Sequence, residues 1–135
     1  MSKIYVFDTN IISDVLDSPQ SPISKRIIQL EKEAVILCQP VIYEVERGLT
    51  HRQAHKQLRR FRLDIMPMFQ IIDVLPQDWQ SASVLWAFAR AKGRQLSDID
   101  ILIATITLRL GGIVVTDDKD FDELPIDKEN WLRQI

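Results

Sequence analysis

The sequence predicts an α/β sandwich built on a mainly parallel sheet. Short runs rich in Val and Ile alternate with helical stretches along the whole chain. The first run, "KIYVF", is apolar on both parities, as expected for a strand covered on both faces. Acidic residues recur where such runs end or early in the following helices, and parallel sheets collect their ligands beyond the carboxyl ends of their strands.

The elements follow in order. After "KIYVF", Asp8 opens the helical "TNIISDVL", and "SPQSP" is a loop whose Ser21 and Pro22 supply an N-cap and a first helical residue. Ile23, Ile27 and Leu30 follow at helical spacing, and "AVILC" is the second strand. Pro40 opens a helix that Gly48 is placed to end. A longer helical stretch runs from His51 to Phe69, with Leu58, Phe61 and Ile65 on one side, before "QIIDVL" forms a third strand. Asp78 caps a helix with an inner stripe of Trp79, Ala82, Trp86 and Ala89 that ends near Gly93. "SDIDILIATITLRL" is apolar nearly all round, which predicts a buried helix, stopped by Gly111 and Gly112. "IVVT" is the fourth strand, and the tail "KENWLRQI" fits a short edge strand.

At 135 residues with 46% hydrophobic side chains, the chain suits one domain with a sizeable core. A net charge of −2 argues against a basic coat but not against an acidic centre with local basic patches. The single Cys38, in an apolar run, cannot form an intrachain disulfide and reads as a small buried hydrophobe in a reducing compartment. Asp8 interrupts the apolar N-terminal run, so no signal peptide is expected, and no stretch reaches membrane-span length. The expectation is a soluble cytoplasmic domain.

Each acid has an ordinary reading beside a chemical one. Asp8 suits an N-cap, although Thr9 and Asn10 can cap the same helix. Glu44, in "PVIYEVERGL", lies beside an inward stripe, where a carboxylate is costly unless paired or metal-bound; Arg47 is an available partner, and Glu46 reads as solvated. Asp100 completes a capping-box pattern with Ser97, and Asp98 reads as a surface charge. Asp117, Asp118 and Asp120 in "VVTDDKDF" form either a solvated turn or a further source of ligands at a strand end, with spacing alone not choosing among them.

Together these acids make a better case than singly. Carboxylates held close raise one another's pKa unless a cation neutralises them. With no Cys/His ligand set, the implied ion is hard and oxygen-loving, Mg²⁺ or Mn²⁺, which points to phosphoryl-transfer chemistry.

The stretches "FDTNIISDVL", "PVIYEVERGL", "DILIATITLRLGG" and "IVVTDDKDF" occur in the order of the PIN-domain family. The chain most resembles its VapC-type toxin branch, over nearly its full length. The resemblance implies one PIN-like nuclease domain over 1–135, a three-layer α/β/α sandwich with a central parallel sheet. The implied activity is metal-dependent cleavage of structured RNA, tRNA or rRNA, with Mg²⁺ or Mn²⁺ held by acids. By position, Asp8, Glu44 and Asp100 match the first three acids and Asp118 the fourth, with the adjacent Asp117 keeping that last assignment open. On this pattern Asp8, Asp100 and Asp118 ligate the ion and Glu44 completes the shell directly or through water, while Thr9, Asn10 and Thr116 orient the acids. The implied partners are a VapB-type antitoxin, whose peptide covers the cleft, the RNA substrate and a second copy in a homodimer. Met66, Met68 and Phe69 are candidates for the dimer surface, although Met and aromatic stripes also build cores.

The stretch "HRQAHKQLRRFRL" places Arg52, Lys56, Arg59, Arg60 and Arg62 along one expected helix, suited either to RNA phosphates or to a solvated face. His51 and His55 stand at i and i+4 but lack the acid of a zinc-helix motif and read as surface residues. A haloacid-dehalogenase-like phosphatase needs D-x-D, and Asn10 occupies the second acid's position. A receiver domain is a poor match, since Asp73 lies inside the expected third strand, and no Gly-rich nucleotide loop is present. The remaining alternative is a non-catalytic PIN-like module that binds RNA or a protein partner.

Overall fold

The computed structural model describes residues 2–132. Five short parallel strands form the central sheet: β1 (Tyr5–Phe7), β2 (Val35–Cys38), β3 (Gln70–Ile72), β4 (Ile113–Val115) and β5 (Asp127–Glu129). Their spatial order is β3-β2-β1-β4-β5. Helices α1 (Thr9–Asp17), α2 (Pro22–Gln29), α3 (Gln39–His51), α4 (His55–Arg60), α5 (Pro76–Ala91) and α6 (Asp98–Leu110) complete the three-layer α/β/α sandwich. The chain builds outward from β1 through β2 to β3, then returns to place β4 on the opposite side of β1. That reversal creates a switch point between β1 and β4, where adjacent loops diverge and leave a crevice.

The core follows from the apolar runs. Val6, Phe7, Val35, Leu37, Val114 and Val115 are fully buried, as two-sided cover demands. Phe7 packs edge-on against Phe69 and Trp131, and Trp131 in turn stacks under the Arg26 guanidinium, 3.7 Å from the ring centre. In α6 every residue from Ile101 to Thr107 is buried, and Gly111 ends the helix in the left-handed conformation at φ 63°. Gly112 follows because a Cβ there would stand 2.9 Å from the Ile4 carbonyl oxygen. Cys38 is buried, and desolvation pushes its thiol up to about 12, which makes it inert as a nucleophile.

Several elements differ from the sequence reading. Gly48 does not end its helix, for α3 continues to His51. The expected helix from His51 to Phe69 is broken by a turn at 52–54, where Gln53 takes a positive φ of 55° and Ala54 N–H donates to Leu49 O. Beyond α4 the backbone widens into a π-helical turn at Phe61–Ile65 and then tightens into a 3₁₀ turn at Met66–Met68. Phe69 is 1% exposed, a core residue rather than part of any dimer surface, while Met66 and Met68 are half-buried against the core. On α5 the inward stripe is Ala82, Leu85 and Ala89, whereas Trp79 and Trp86 are 59% and 42% exposed. The tail strand forms as the edge strand β5, and the last three residues of "KENWLRQI" lie outside the described residues. Among the described residues, no helix is long and apolar enough to cross a membrane.

Asp78 does more than cap. It stands at the third position of α5, where one carboxylate oxygen accepts from Leu75 N–H at 2.7 Å. Both oxygens also accept from Arg109 of α6, at 2.9 and 3.1 Å, and the same guanidinium reaches Asp73 O at 2.9 Å. This fork ties the α5–α6 hairpin together with Asp78 fully desolvated. Breaking such a pair leaves a buried charge without its partner. Asp78→Ala is therefore expected to lower unfolding stability by about 3 kcal/mol in a urea melt; a loss under about 0.5 kcal/mol, typical of a surface change, would contradict this reading.

Candidate metal centre

The parallel pairing of β1 with β4 sets Phe7 opposite Val115, so Asp8 and Thr116 emerge side by side at the carboxyl edge. Asp8 N–H continues the ladder to Val115 O at 2.9 Å. Its side chain caps α1 through Thr9 N–H at 2.7 Å and accepts the Thr116 hydroxyl at 2.6 Å. Thr116 is the hub of this crossing. While donating to Asp8, its oxygen accepts from Asp118 N–H at 3.0 Å and from the Asn10 amide at 3.5 Å. Capping and site-building are thus one arrangement at Asp8, not alternatives.

Three further elements bring acids to the same edge. Glu44 projects from α3 to the start of α1, where one oxygen accepts a short hydrogen bond from the Thr9 hydroxyl, while the other meets Arg47 of its own helix at 3.3 Å. Asp100 stands in the first turn of α6, where Ser97 Oγ accepts its N–H at 3.1 Å. Asp118 caps the short helical turn after β4 by accepting Asp120 N–H at 2.9 Å. Carboxylate oxygens of Asp100, Asp118 and Asp120 lie within 4.8 Å of one another.

The electrostatics show that the four anticipated acids share one field. Burial is the main cause that raises Asp8 above the ordinary carboxylate range, and Glu44 and Asp118 push it the same way against the Thr116 and Thr9 hydrogen bonds. Asp100 is pushed up to about 7, first by desolvation and then by the charges of Asp8, Asp118 and Glu44. Among the described residues, no basic side chain lies within ion-pair distance of Asp8, Asp100 or Asp118. Glu44 has Arg47 at 3.3 Å and Asp120 has Arg94 at 4.0 Å, both at the margin of the cluster. The three inner carboxylates, partly desolvated and without a protein counter-charge, suit a hard divalent cation.

The structure separates Asp117 from Asp118. The Asp117 carboxylate turns to β5, where it accepts the Asn130 amide at 2.6 Å, while its N–H donates to Asn10 Oδ1 at 3.4 Å. Asp120 is the residue that motif matching left out. Its recurrence two positions after Asp118 was the available signal, but only the turn at 119–123 shows that it folds back on the cluster.

The basic stretch does not form one face. Arg52 follows α3 and lines a groove between α1 and α3 that also includes Glu44. Lys56 and Arg59 are exposed on α4, Arg60 is half-buried beside Val15, Ile28 and Met68, and Arg62 pairs with Glu46 at 2.6 Å. His51 and His55 are exposed on separate helices, so their i, i+4 spacing has no helical meaning.

Ribonuclease VapC11 of Mycobacterium tuberculosis is 28% identical over 99 residues, covering 73% of this chain and 72% of that protein. The fold resembles a DNA-bound VapBC of Salmonella typhimurium, with a TM-score of 0.85, 20% identity, and 96% and 99% of the two chains covered. FitAcB of Neisseria gonorrhoeae gives a TM-score of 0.80 at 20% identity, covering 97% and 100%. The PIN domain profile matches residues 5–127, a span that takes in both strand ends of the switch point and every acid gathered there, and the chain belongs to that family.

Proposed function

We propose that this protein is a Mg²⁺- or Mn²⁺-dependent endoribonuclease, the toxin of a VapBC-type pair, acting on structured RNA such as tRNA or rRNA. The observation that carries this reading is the convergence of Asp8, Glu44, Asp100 and Asp118 at one strand edge with no basic partner for three of them. Similarity to a VapC ribonuclease supports the activity, and similarity to VapBC assemblies supports a VapB-type antitoxin as partner. A homodimer is part of the same proposal.

In this reading Asp8, Asp100 and Asp118 hold the cation, with Glu44 completing its shell directly or through water. When bound, the ion supplies charge neutralisation, an acidified water and stabilisation of the leaving oxygen, giving 5′-phosphate and 3′-hydroxyl ends. The chain's own part is positional. Thr116 fixes one oxygen of Asp8 and holds the Asp118 backbone at the same time. Thr9 presents Glu44 from across the α1–α3 gap, and Asn10 ties the two strand-end loops together. Asp120 stands close enough to contribute a further oxygen.

Two measurements test the proposal. Incubated with a mixed tRNA and rRNA pool and Mg²⁺, the protein is expected to cleave RNA, EDTA to abolish cleavage, and Asp8→Asn or Asp100→Asn to slow it by about 10²-fold or more. Either variant cutting as fast as the parent would defeat the site assignment; a parent that binds RNA without cutting it would favour the non-catalytic alternative. The second measurement is thermal. Asp100 binds its proton more tightly folded than unfolded, so without metal its contribution to stability is full below 3.8 and is lost as pH rises to about 7. Asp8 adds in the same direction. Mg²⁺ is expected to raise the melting temperature more at pH 8 than at pH 5.5, because protons and metal compete for the same oxygens. A gain that is equal at both values, or larger at the lower one, would refute it.

A further inference from the structure

We infer that the RNA strand leaves the acid cluster through the groove between α1 and α3, and that Arg52 holds one of its phosphates there. The inference rests on the nuclease reading but concerns the substrate path, not the metal site.

Gly48 first points to this groove. It sits inside α3, in ordinary helical conformation, where glycine weakens a helix relative to any other non-proline residue. Neither a turn nor a close backbone requires it, for an added Cβ would meet only the tip of Arg52, at 3.7 Å from Nη1. What glycine provides is room for the Arg52 guanidinium to lie against the helix. Glu44, Gly48 and Arg52 succeed one another at i, i+4 and i+8, and the Arg52 side chain folds back so that its guanidinium lies over Gly48, one turn from the Glu44 backbone.

The row borders a recess of about 120 Å³, whose other wall is Thr9, Ser13, Leu16 and Asp17 of α1. The recess begins at Thr9 and Glu44, the two residues that couple α1 to α3 beside the acids. Arg52 makes no ion pair among the described residues, although Glu44 and Asp17 border the same space. Asp17 repels a phosphate from the α1 wall, whereas Glu44 on the α3 wall already faces Arg47, so the course left open to a polyanion runs along α3 to the guanidinium held over Gly48. Arg47 is engaged by Glu44 and Arg62 by Glu46, while Arg59 and Arg60, also without an ion pair among the described residues, stand on α4; Arg52 is the basic residue that lines this recess. A guanidinium that is permanently charged and unpaired suits a phosphodiester oxygen pair.

The test measures binding of a fluorescein-labelled, short single-stranded RNA of mixed sequence to the full chain, in an Asp100→Asn background that holds cleavage off. Arg52→Gln is expected to weaken binding about tenfold and to reduce the slope of log affinity against log salt by about 1. Gly48→Leu, which fills the recess, is expected to weaken binding similarly while melting no lower than its parent, because leucine favours a helix. Arg62→Gln is expected to leave both affinity and slope unchanged. Unchanged affinity in Arg52→Gln, an equal loss in Arg62→Gln, or no measurable binding by the Asp100→Asn parent would overturn the inference. In the otherwise native protein, Arg52→Gln is expected to raise KM for RNA with kcat held. Failure of the wild type to cleave would sink the nuclease reading while the binding comparison still decides this one.

Discussion

Everything at the site depends on β1 and β4 lying side by side and parallel. That pairing puts the ends of two strands distant in sequence within hydrogen-bond reach, and the Thr116 hydroxyl closes the gap to Asp8 at 2.6 Å. Thr116 also receives Asp118 N–H, so a single buried hydroxyl sets both strand-end acids. The other two acids arrive on helices anchored to the same sheet: Glu44 on α3, which begins where β2 ends, and Asp100 at the start of α6, which runs back to β4. A cluster assembled from four elements requires the whole fold for its geometry.

Such a cluster opposes folding in the absence of a cation. Burial and mutual repulsion both favour protonation of Asp8 and Asp100, which raises their carboxyls rather than lowering them as a stabilising ion pair would. Compensation lies elsewhere in the molecule. The Asp78–Arg109 fork braces α5 against α6, and the apolar strands are covered on both faces. The contrast between these two buried aspartates is instructive, since one has a guanidinium and the other has only hydroxyl and amide donors. The first holds the hairpin; the second has no cationic partner among the described residues.

Much of this was legible in the sequence, because strand and helix periods and the stop at Gly111 act locally. The parallel sheet and the buried α6 follow from runs whose local chemistry agrees with their place in the fold, whereas Asp8, Glu44 and Asp100 are singled out together only by their recurrence near strand ends and by the family resemblance. What escaped was decided by non-local contacts or by backbone conformations that composition does not mark. Gln53 adopts a left-handed turn with neither glycine nor proline to signal it, so the boundary between α3 and α4 reads from the sequence at Gly48 instead of at 52–54. Trp79 and Trp86 looked like core by size, yet the smaller Ala82, Leu85 and Ala89 let α5 approach its neighbours. Gly48 read as a helix stop because its usual meaning is conformational, whereas here the missing side chain is what matters. Asp117 and Asp118 could not be separated by spacing, since their difference lies in Asn130, which draws one of them away.

That last distinction gives the most direct test of the central claim that the switch-point acids form one cation site. Calorimetric titration of Mn²⁺ into the metal-free protein and into Asp118→Asn and Asp117→Asn should show one specific site. The account predicts that Asp118→Asn loses affinity by at least about tenfold, while Asp117→Asn binds nearly as the wild type does. Absence of specific binding in the wild type, or a greater loss in Asp117→Asn than in Asp118→Asn, would contradict it.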